Sequence, residues 1–385
     1  MDFTETVEQQ QLRAAVAALG QRYGHEYFVA KAKAGEHTTE LWAEAGKLGY
    51  LGVSVPAEYG GGGGGITELA IVCEEFAAAG CPLLLLVVSP AIVATIIARH
   101  GTDEQRAEVL PGIADGSRTV AFAITEPEAG SNSHRLSTVA TQDGDDWVLN
   151  GRKCFISGVD QADQLLVVAR TADEATGRLI PALFLVPVDA PGLAKSKLDM
   201  EIVSPENQWL LYLDDVRVPA GALIGGASAG LPALFAGLNP ERITIAAGAI
   251  GMARYALARA ARYAASRSVW GRPIGTHQGV AHPLAHAQIQ VELARLMVMK
   301  SATLYDAGRD VEAGVAANMA KYAAAEAATL AVDTAIQTHG GNGMTTEYGV
   351  ATLLGVVRAM RIAPVSREMI LNFVAQHVLG QEKSY

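Results

Sequence analysis

Apolar residues in the first third of the chain return at three- and four-residue intervals, as in Leu12/Val16/Leu19 and Leu69/Val72/Phe76. That is the spacing of one buried face of an α-helix. The pattern runs from Phe3 to about Gly116, interrupted by six consecutive glycines, Gly60 to Gly65. The glycines read as a flexible loop, and no strand precedes them to make a phosphate cradle. From Thr119 to about Leu223 the period changes. TVAFAIT, STVAT, DWVL, KCFIS, QLLVVAR, IPALFLVPV and QWLLYL are short and rich in β-branched or aromatic residues, with turn signals at Asp143-Gly144-Asp145, Asn150-Gly151 and Pro191-Gly192. Strands so spaced, without helical crossovers, predict an antiparallel barrel or sandwich. Past the small-residue connector ALIGGASAG (222–230) the chain is helical again: an alanine-rich amphipathic stretch from Ile243 to Arg267, then Ala285 to Asp306 and Val315 to Thr338, with Gly340 placed as a C-cap. The predicted organisation is α+β: an N-terminal helical domain (1–118), a central β-domain (119–228) and a C-terminal helical bundle (229–385).

Composition narrows the class. Half of the 385 residues are hydrophobic and 18% are charged, enough apolar side chain for a sizeable core and incompatible with a disordered chain. Thirty Lys and Arg against 40 Asp and Glu give a net charge of −10 without a basic run, a poor match to nucleic acid or an anionic membrane. Local basic pockets for a phosphorylated ligand are compatible with that balance. Cys73, Cys81 and Cys154 form neither a disulfide framework nor a zinc pattern, and read as small buried hydrophobes in a reducing cytosol. The start, MDFTETVEQQQ, is too acidic and polar for a signal or transit peptide. Cys81 to Ala98 (CPLLLLVVSPAIVATIIA) could mimic a membrane span, but it is 18 residues long and broken by Ser89-Pro90. It reads as a buried helical hairpin, and the protein is expected in the cytoplasm.

Four motifs invite chemistry. Gly226-Ala-Ser228-Ala-Gly230 has the form of a nucleophile elbow, yet a linker precedes Ser228 where that motif needs a strand. His282 and His286 stand at i and i+4, a metal-compatible spacing, without an intervening glutamate or a third ligand; no metal is expected. Gly340-Gly341-Asn342-Gly343 follows a helix rather than a strand, so it is no dinucleotide fingerprint, although its backbone N–H groups suit a phosphate. Thr125-Glu126-Pro127-Glu128-Ala129-Gly130-Ser131 follows the strand VAFAI and offers N–H groups and hydroxyls to a planar polar ring or a phosphate.

With these residues as a start, the sequence resembles the acyl-CoA dehydrogenase family of flavoproteins over nearly its whole length. Six motifs occur in the family's order: Ala123-Ile124-Thr125-Glu126-Pro127 with Ala129-Gly130-Ser131; Asn150-Gly151-Arg152-Lys153 with Phe155-Ile156-Ser157; Asp214-Asp215-Val216-Arg217-Val218-Pro219; Glu241-Arg242; Arg267, Trp270-Gly271 and Gln278; and Gln337 with the Gly340–Gly343 run and Glu347-Tyr348. The resemblance implies the helical, β and four-helix domains already read, a homotetramer built as a dimer of dimers, and FAD between the β-domain and the C-terminal bundle. It implies that Phe122, Ile124 and Thr125 line the flavin ring and that Phe155 packs on it. Ser157 then offers its hydroxyl to flavin N5, and Ser131 meets the flavin diphosphate or the substrate's thioester arm. From the adjacent subunit, Arg267 pairs with the diphosphate, Trp270 and Gln278 contact the cofactor beside it, and Gln337 and Gly341 meet its adenosine-diphosphate half.

The implied reaction is oxidation of an acyl-CoA thioester to the 2-enoyl-CoA, the Cα proton going to a carboxylate and the Cβ hydride to the flavin. In the commonest members the carboxylate is the glutamate of a Tyr-Glu-Gly-Thr stretch. Here the aligned stretch is Ile362-Ala363-Pro364-Val365-Ser366, with Pro364 at the base position, and Gly355-Val356 replaces a neighbouring Arg-Asp. A subset that includes isovaleryl-CoA and long-chain acyl-CoA dehydrogenases carries its base at the start of the long helix, directly before an arginine. Glu241-Arg242 stands there, so Glu241 is the candidate base, and Arg242 holds that carboxylate or faces the CoA phosphates. Asn239 reads as N-cap and Pro240 as the first helical residue, a setting in which the helix dipole lowers the carboxyl pKa while burial raises it. The alternative is a flavoprotein of the same fold without a base, serving other thioester chemistry or acting as a partner subunit. A moved base leans toward branched or bulky acyl groups. Leu198 to Asn207 departs from the family's usual glycine- and arginine-bearing pattern, and an electron-transfer flavoprotein is the expected acceptor.

Overall fold

The computed structural model describes residues 4–173, 176–226 and 229–383. Helices α1 (Val7–Ala34), α2 (Thr39–Lys47), α3 (Ile66–Ala78), α4 (Thr95–His100) and α5 (Asp103–Asp115) make up the N-terminal part. Thr6 and Thr102 start α1 and α5, each with a glutamine three residues on that completes a capping box. The glycine run is not the flexible loop its composition suggests. The Gly62, Gly63 and Gly64 N–H groups bond the carbonyls of Gly52, Val55 and Val53, and a Cβ on Gly61 would lie 2.1 Å from the Val55 oxygen. It is a hydrogen-bonded turn in which a side chain at Gly61, Gly62 or Gly64 would press on the carbonyls of Val53 or Val55. The stretch from Cys81 to Ala98 also differs from the hairpin expected. Val87–Ala94 is π-helical and runs straight into α4, all of it buried. Pro90 has no N–H to give, and widened turns absorb the lost bond without reversing the chain. No helix among the described residues is long and apolar enough to cross a membrane.

Seven strands form the central sheet: β1 (Val120–Ala123), β2 (Val139–Asp143), β3 (Asp146–Ser157), β4 (Gln164–Ala172), β5 (Leu179–Pro187), β6 (Leu193–Leu198) and β7 (Gln208–Pro219). Their order is β1-β4-β2-β3-β7-β6, with β5 also on β4. The sheet curls around a core that includes Leu149, Val167, Phe184 and Leu211. The antiparallel expectation holds for β2–β3, β3–β7, β4–β5 and β6–β7; β1 instead runs parallel to β4, and β2 meets β4 in parallel at Val139. DWVL and KCFIS are one strand, with register shifts between Leu149 and Gly151 and between Lys153 and Ile156.

The bundle consists of α6 (Gly230–Ser266), α7 (Gln278–Asp306) and α8 (Asp310–His339), followed by the shorter α9 (Leu353–Ala359) and α10 (Arg367–His377). A small hairpin, β8 (Ser268–Val269) with β9 (Arg272–Pro273), joins α6 to α7. Ala253 and Ala256 of α6 and Ala320 and Ala324 of α8 are fully buried and join Ile243, Ile250 and Val291 in a core shared with α1 and α3. One expectation is corrected here. Asn239 is no N-cap and Pro240 is no first residue, because α6 starts at Gly230 and passes through both. Proline removes the hydrogen bond to the carbonyl four residues back, that of Ala236. The Tyr305 hydroxyl of α7 donates to that carbonyl at 3.0 Å, so the helix continues.

Candidate functional site

Three groups of predicted residues emerge, and one chain does not bring them all together. The first lies where β1 ends against β3. Phe122 and Ile124 pack in an apolar cluster, and the Thr125 carbonyl accepts from the Cys154 N–H at 2.9 Å. Beneath this loop is a buried ion pair: Lys153 and Glu126, 2.8 Å apart, with side chains 0% and 1% exposed. Lys153 also donates to the Ile124 carbonyl, and Glu126 accepts from the N–H groups of Ser137 and Thr138 and the Ser137 hydroxyl. Burial pushes the Glu126 carboxyl up, but Lys153 and these donors overcome it and hold the group down at about 2. The pair therefore stitches the Thr125 loop to β3. Two residues past Lys153, Phe155 takes a left-handed backbone (φ 56) and presents a 59% exposed ring. An aromatic residue adopts that conformation only where its surroundings impose it. Ser157 pairs with Gln208 of β7, hydroxyl to amide nitrogen 2.9 Å. Ser131 is exposed on the loop beyond.

The second group is on α6. Glu241 is half-buried, and no side-chain hydrogen bond or ion pair engages its carboxylate among the described residues. Burial pushes it up to about 7, against the opposing pull of Arg242 and Lys321. With the helix start three turns away, at Gly230, the dipole expected to lower it is out of reach. Arg242 donates to Asn239 at 3.0 Å rather than to Glu241, and its Nε is buried without a partner among the described residues. Lys321, 1% exposed on α8, donates to the Val365 carbonyl, directly after Pro364. A lone buried lysine in an alanine-rich helix carries no sequence motif, and sequence reasoning missed it.

The third group is at the far end of α6. Arg267, exposed at its C-terminus, opens onto a cavity of about 400 Å³ with Arg259, Arg262, Tyr263, His339 and Asn342. The ring of Tyr263 stacks on His339 at 4.5 Å and its hydroxyl accepts from Asn342 at 3.0 Å. Sequence reading assigned no role to Arg259 and Arg262, which stand about one turn apart on the last three turns of the helix that ends at Arg267. Gln337 and Gly341 lie exposed at the end of α8 beside this cavity, and Gln278 is exposed at the start of α7. Trp270 tips the β8–β9 hairpin, 88% exposed at φ 53, edge-on to His277. Glu241 and Arg267 are 26 residues apart on one helix, ~39 Å at 1.5 Å per residue. His282 and His286 are exposed on α7, and Ser228 lies outside the described residues.

The donor sets fit FAD. Three guanidinium groups around one cavity match a diphosphate, and a hydroxyl, an amide and an exposed aromatic ring on the β3–β7 edge match a planar polar ring. Comparison with known proteins agrees. The N-terminal, middle and C-terminal domain profiles of acyl-CoA dehydrogenase match residues 6–117, 121–212 and 228–379. The chain is 61% identical over 383 residues to the acyl-CoA dehydrogenase FadE12 of Mycobacterium tuberculosis, covering 100% of this chain and 99% of that one. It is 35% identical over 381 residues to the probable acyl-CoA dehydrogenase YngJ of Bacillus subtilis, covering 98% and 100%. Among solved structures, a glutaryl-coenzyme A dehydrogenase in complex with glutaryl-CoA superposes with a TM-score of 0.94 at 31% identity, covering 100% and 98%. On the order of its motifs, its fold and these matches, the chain belongs to the acyl-CoA dehydrogenase family.

Proposed function

We propose that Glu241 is the base with which this FAD-dependent acyl-CoA dehydrogenase removes the Cα proton of its thioester substrate. The observation that carries the reading is a half-buried, unpartnered carboxylate with its proton affinity raised to about 7, in a chain with proline at residue 364. A carboxylate in water is far too weak a base for an α-proton. Burial narrows that gap by raising its affinity, and at neutral pH much of it is still ionised and ready to accept. Bound FAD supplies the acceptor for the Cβ hydride. The protein's own part is placement: Thr125, Phe155 and Ser157 hold one face of the ring, with Phe122 and Ile124 behind, and Ser131 meets the diphosphate or the thioester arm. The unpartnered Nε of Arg242 faces the substrate as a donor.

Arg267, Trp270, Gln278, Gln337 and Gly341 serve the cofactor of a neighbouring subunit in a homotetramer, a dimer of dimers. The ~39 Å between Glu241 and Arg267 supports this, as does the exposed apolar row Ile289, Leu293 and Leu296 on α7. Three free buried cysteines suit a reducing cytoplasm, and an electron-transfer flavoprotein is the fitting acceptor. The test is anaerobic: straight and branched acyl-CoAs are added to the yellow protein while the visible flavin band is followed. Wild type bleaches with its substrate, whereas Glu241→Gln keeps its flavin and stays yellow. Bleaching of the variant at the wild-type rate would remove Glu241 from the role.

A further inference from the structure

We infer that Lys321 is a positioning residue for the dehydrogenation: it ties the segment 363–366 to α8 and sets a compensating positive charge beside Glu241. This rests on the reading of Glu241 as the base.

The placement follows from how α6 and α8 pack. The two helices run parallel. Where α8 starts, the Asn239 amide, in the third turn of α6, donates to the Asp310 carbonyl at 3.4 Å, and a Cβ on Gly314 would lie 3.4 Å from the Asn239 side chain. Near their ends Tyr263 stacks on His339. Lys321 is two turns beyond Gly314 and so shares its face. Side chains lean toward a helix N-terminus, which brings the ammonium back toward the level of Glu241.

A buried ammonium without a counter-charge is costly, and one carbonyl, that of Val365, uses one of its three donors. The charged groups facing Lys321 are Glu241 and Arg242 from α6, Glu326 from its own helix and Glu368 from α10. Glu326 is bound to Arg361 at 2.8 Å and to Arg367 at 3.0 Å, and Glu368 lies 3.5 Å from Arg367. Arg242 is a cation occupied with Asn239. That leaves Glu241 as the uncommitted anion. The charges act in both directions: burial pushes Glu241 up to about 7 and Lys321 down to about 8, and each restrains the shift of the other. Lys321 thus favours the ionised form of the half-buried carboxylate while it holds the proline-bearing segment in place.

Three substitutions separate the two roles. Lys321→Gln keeps an N–H donor for Val365 but drops the charge, Lys321→Met drops both, and Lys321→Arg keeps both. The readout is kcat/KM for the bleaching acyl-CoA against pH, with FAD content and Tm as controls. Without the cation, protonated Glu241 is favoured. The acid limb should therefore move up by about one pH unit in Gln and Met, and return toward wild type in Arg. If Lys321→Met does not fold, Lys321→Gln carries the measurement. An unmoved acid limb in Lys321→Gln, with Glu241→Gln inactive, removes Lys321 alone. Wild-type bleaching by Glu241→Gln removes the base, and with it the meaning of the limb.

Discussion

At the scale of single residues, the role proposed for Glu241 and the environment of its carboxyl make two signed predictions. With Glu241 as the proposed base the carboxylate would be the active form, so kcat/KM should fall about tenfold per pH unit below about 7. A flat profile between pH 5 and 8 would assign the base elsewhere. The same group bears on stability. Folded, it holds its proton up to about 7; unfolded, it releases it near 4.5. Between those values the folded chain binds more protons, so this group costs increasing stability as pH rises through the window, up to roughly 3 kcal/mol. Glu241→Gln should accordingly raise Tm at pH 8 and leave it nearly unchanged at pH 4.5. An equal effect at both pH values would mean that the carboxylate is as well solvated as in the unfolded chain. The residue stands out as a candidate in the sequence because Glu-Arg occupies the place where a subset of the family keeps its base. Its environment was not legible there, since one of the charges that act on it belongs to Lys321, 80 positions later.

At the scale of elements, the sequence yielded what periodicity and turn chemistry encode and missed what distant partners supply. Strands β4 and β5 read directly from β-branched runs. LAKSKL did not read as a strand, because β6 is largely exposed and carries few apolar residues. The start of α6 was placed about ten residues late because Asn239-Pro240 looks like a helix beginning. Tyr305, 69 residues away from Ala236, removes the cost of that proline. Tyr305→Phe leaves a buried carbonyl without a donor and should cost about 1–3 kcal/mol in denaturant unfolding. No loss would mean that another donor reaches Ala236. The motif residues Glu126 and Lys153 were visible, but their buried pairing was not, because it depends on β3 folding back beneath the Thr125 loop. Lys153→Met strands a buried carboxylate and should cost about 3–5 kcal/mol, with FAD released at lower denaturant than in wild type. Unfolding and FAD release both unchanged would show that the loop does not depend on the pair.

At the scale of the whole molecule, the long α6 raises the question of which chain completes which site. Glu241 and Arg267 mark sites about 39 Å apart, while Trp270, Ile289 and Leu293 remain exposed in the single chain. In the proposed assembly, an isologous pairing would give each copy the same two half-sites and join one chain's Arg267 to its partner's flavin. This arrangement has a genetic consequence. Glu241→Gln alone lacks the base, and Arg267→Gln alone lacks the diphosphate partner, so each homomer should be inactive or nearly so. Co-expressed, they form hybrids in which one site combines an intact Glu241 with the partner chain's intact Arg267. Random pairing should restore about a quarter of wild-type activity. If both residues served the same chain's flavin, every site in the hybrid would carry one defect and activity would stay at the level of the single variants. Adding Leu293→Glu to both chains separates assembly from chemistry, since a charge in that apolar row should dissociate the oligomer in light scattering and abolish the restored activity with it.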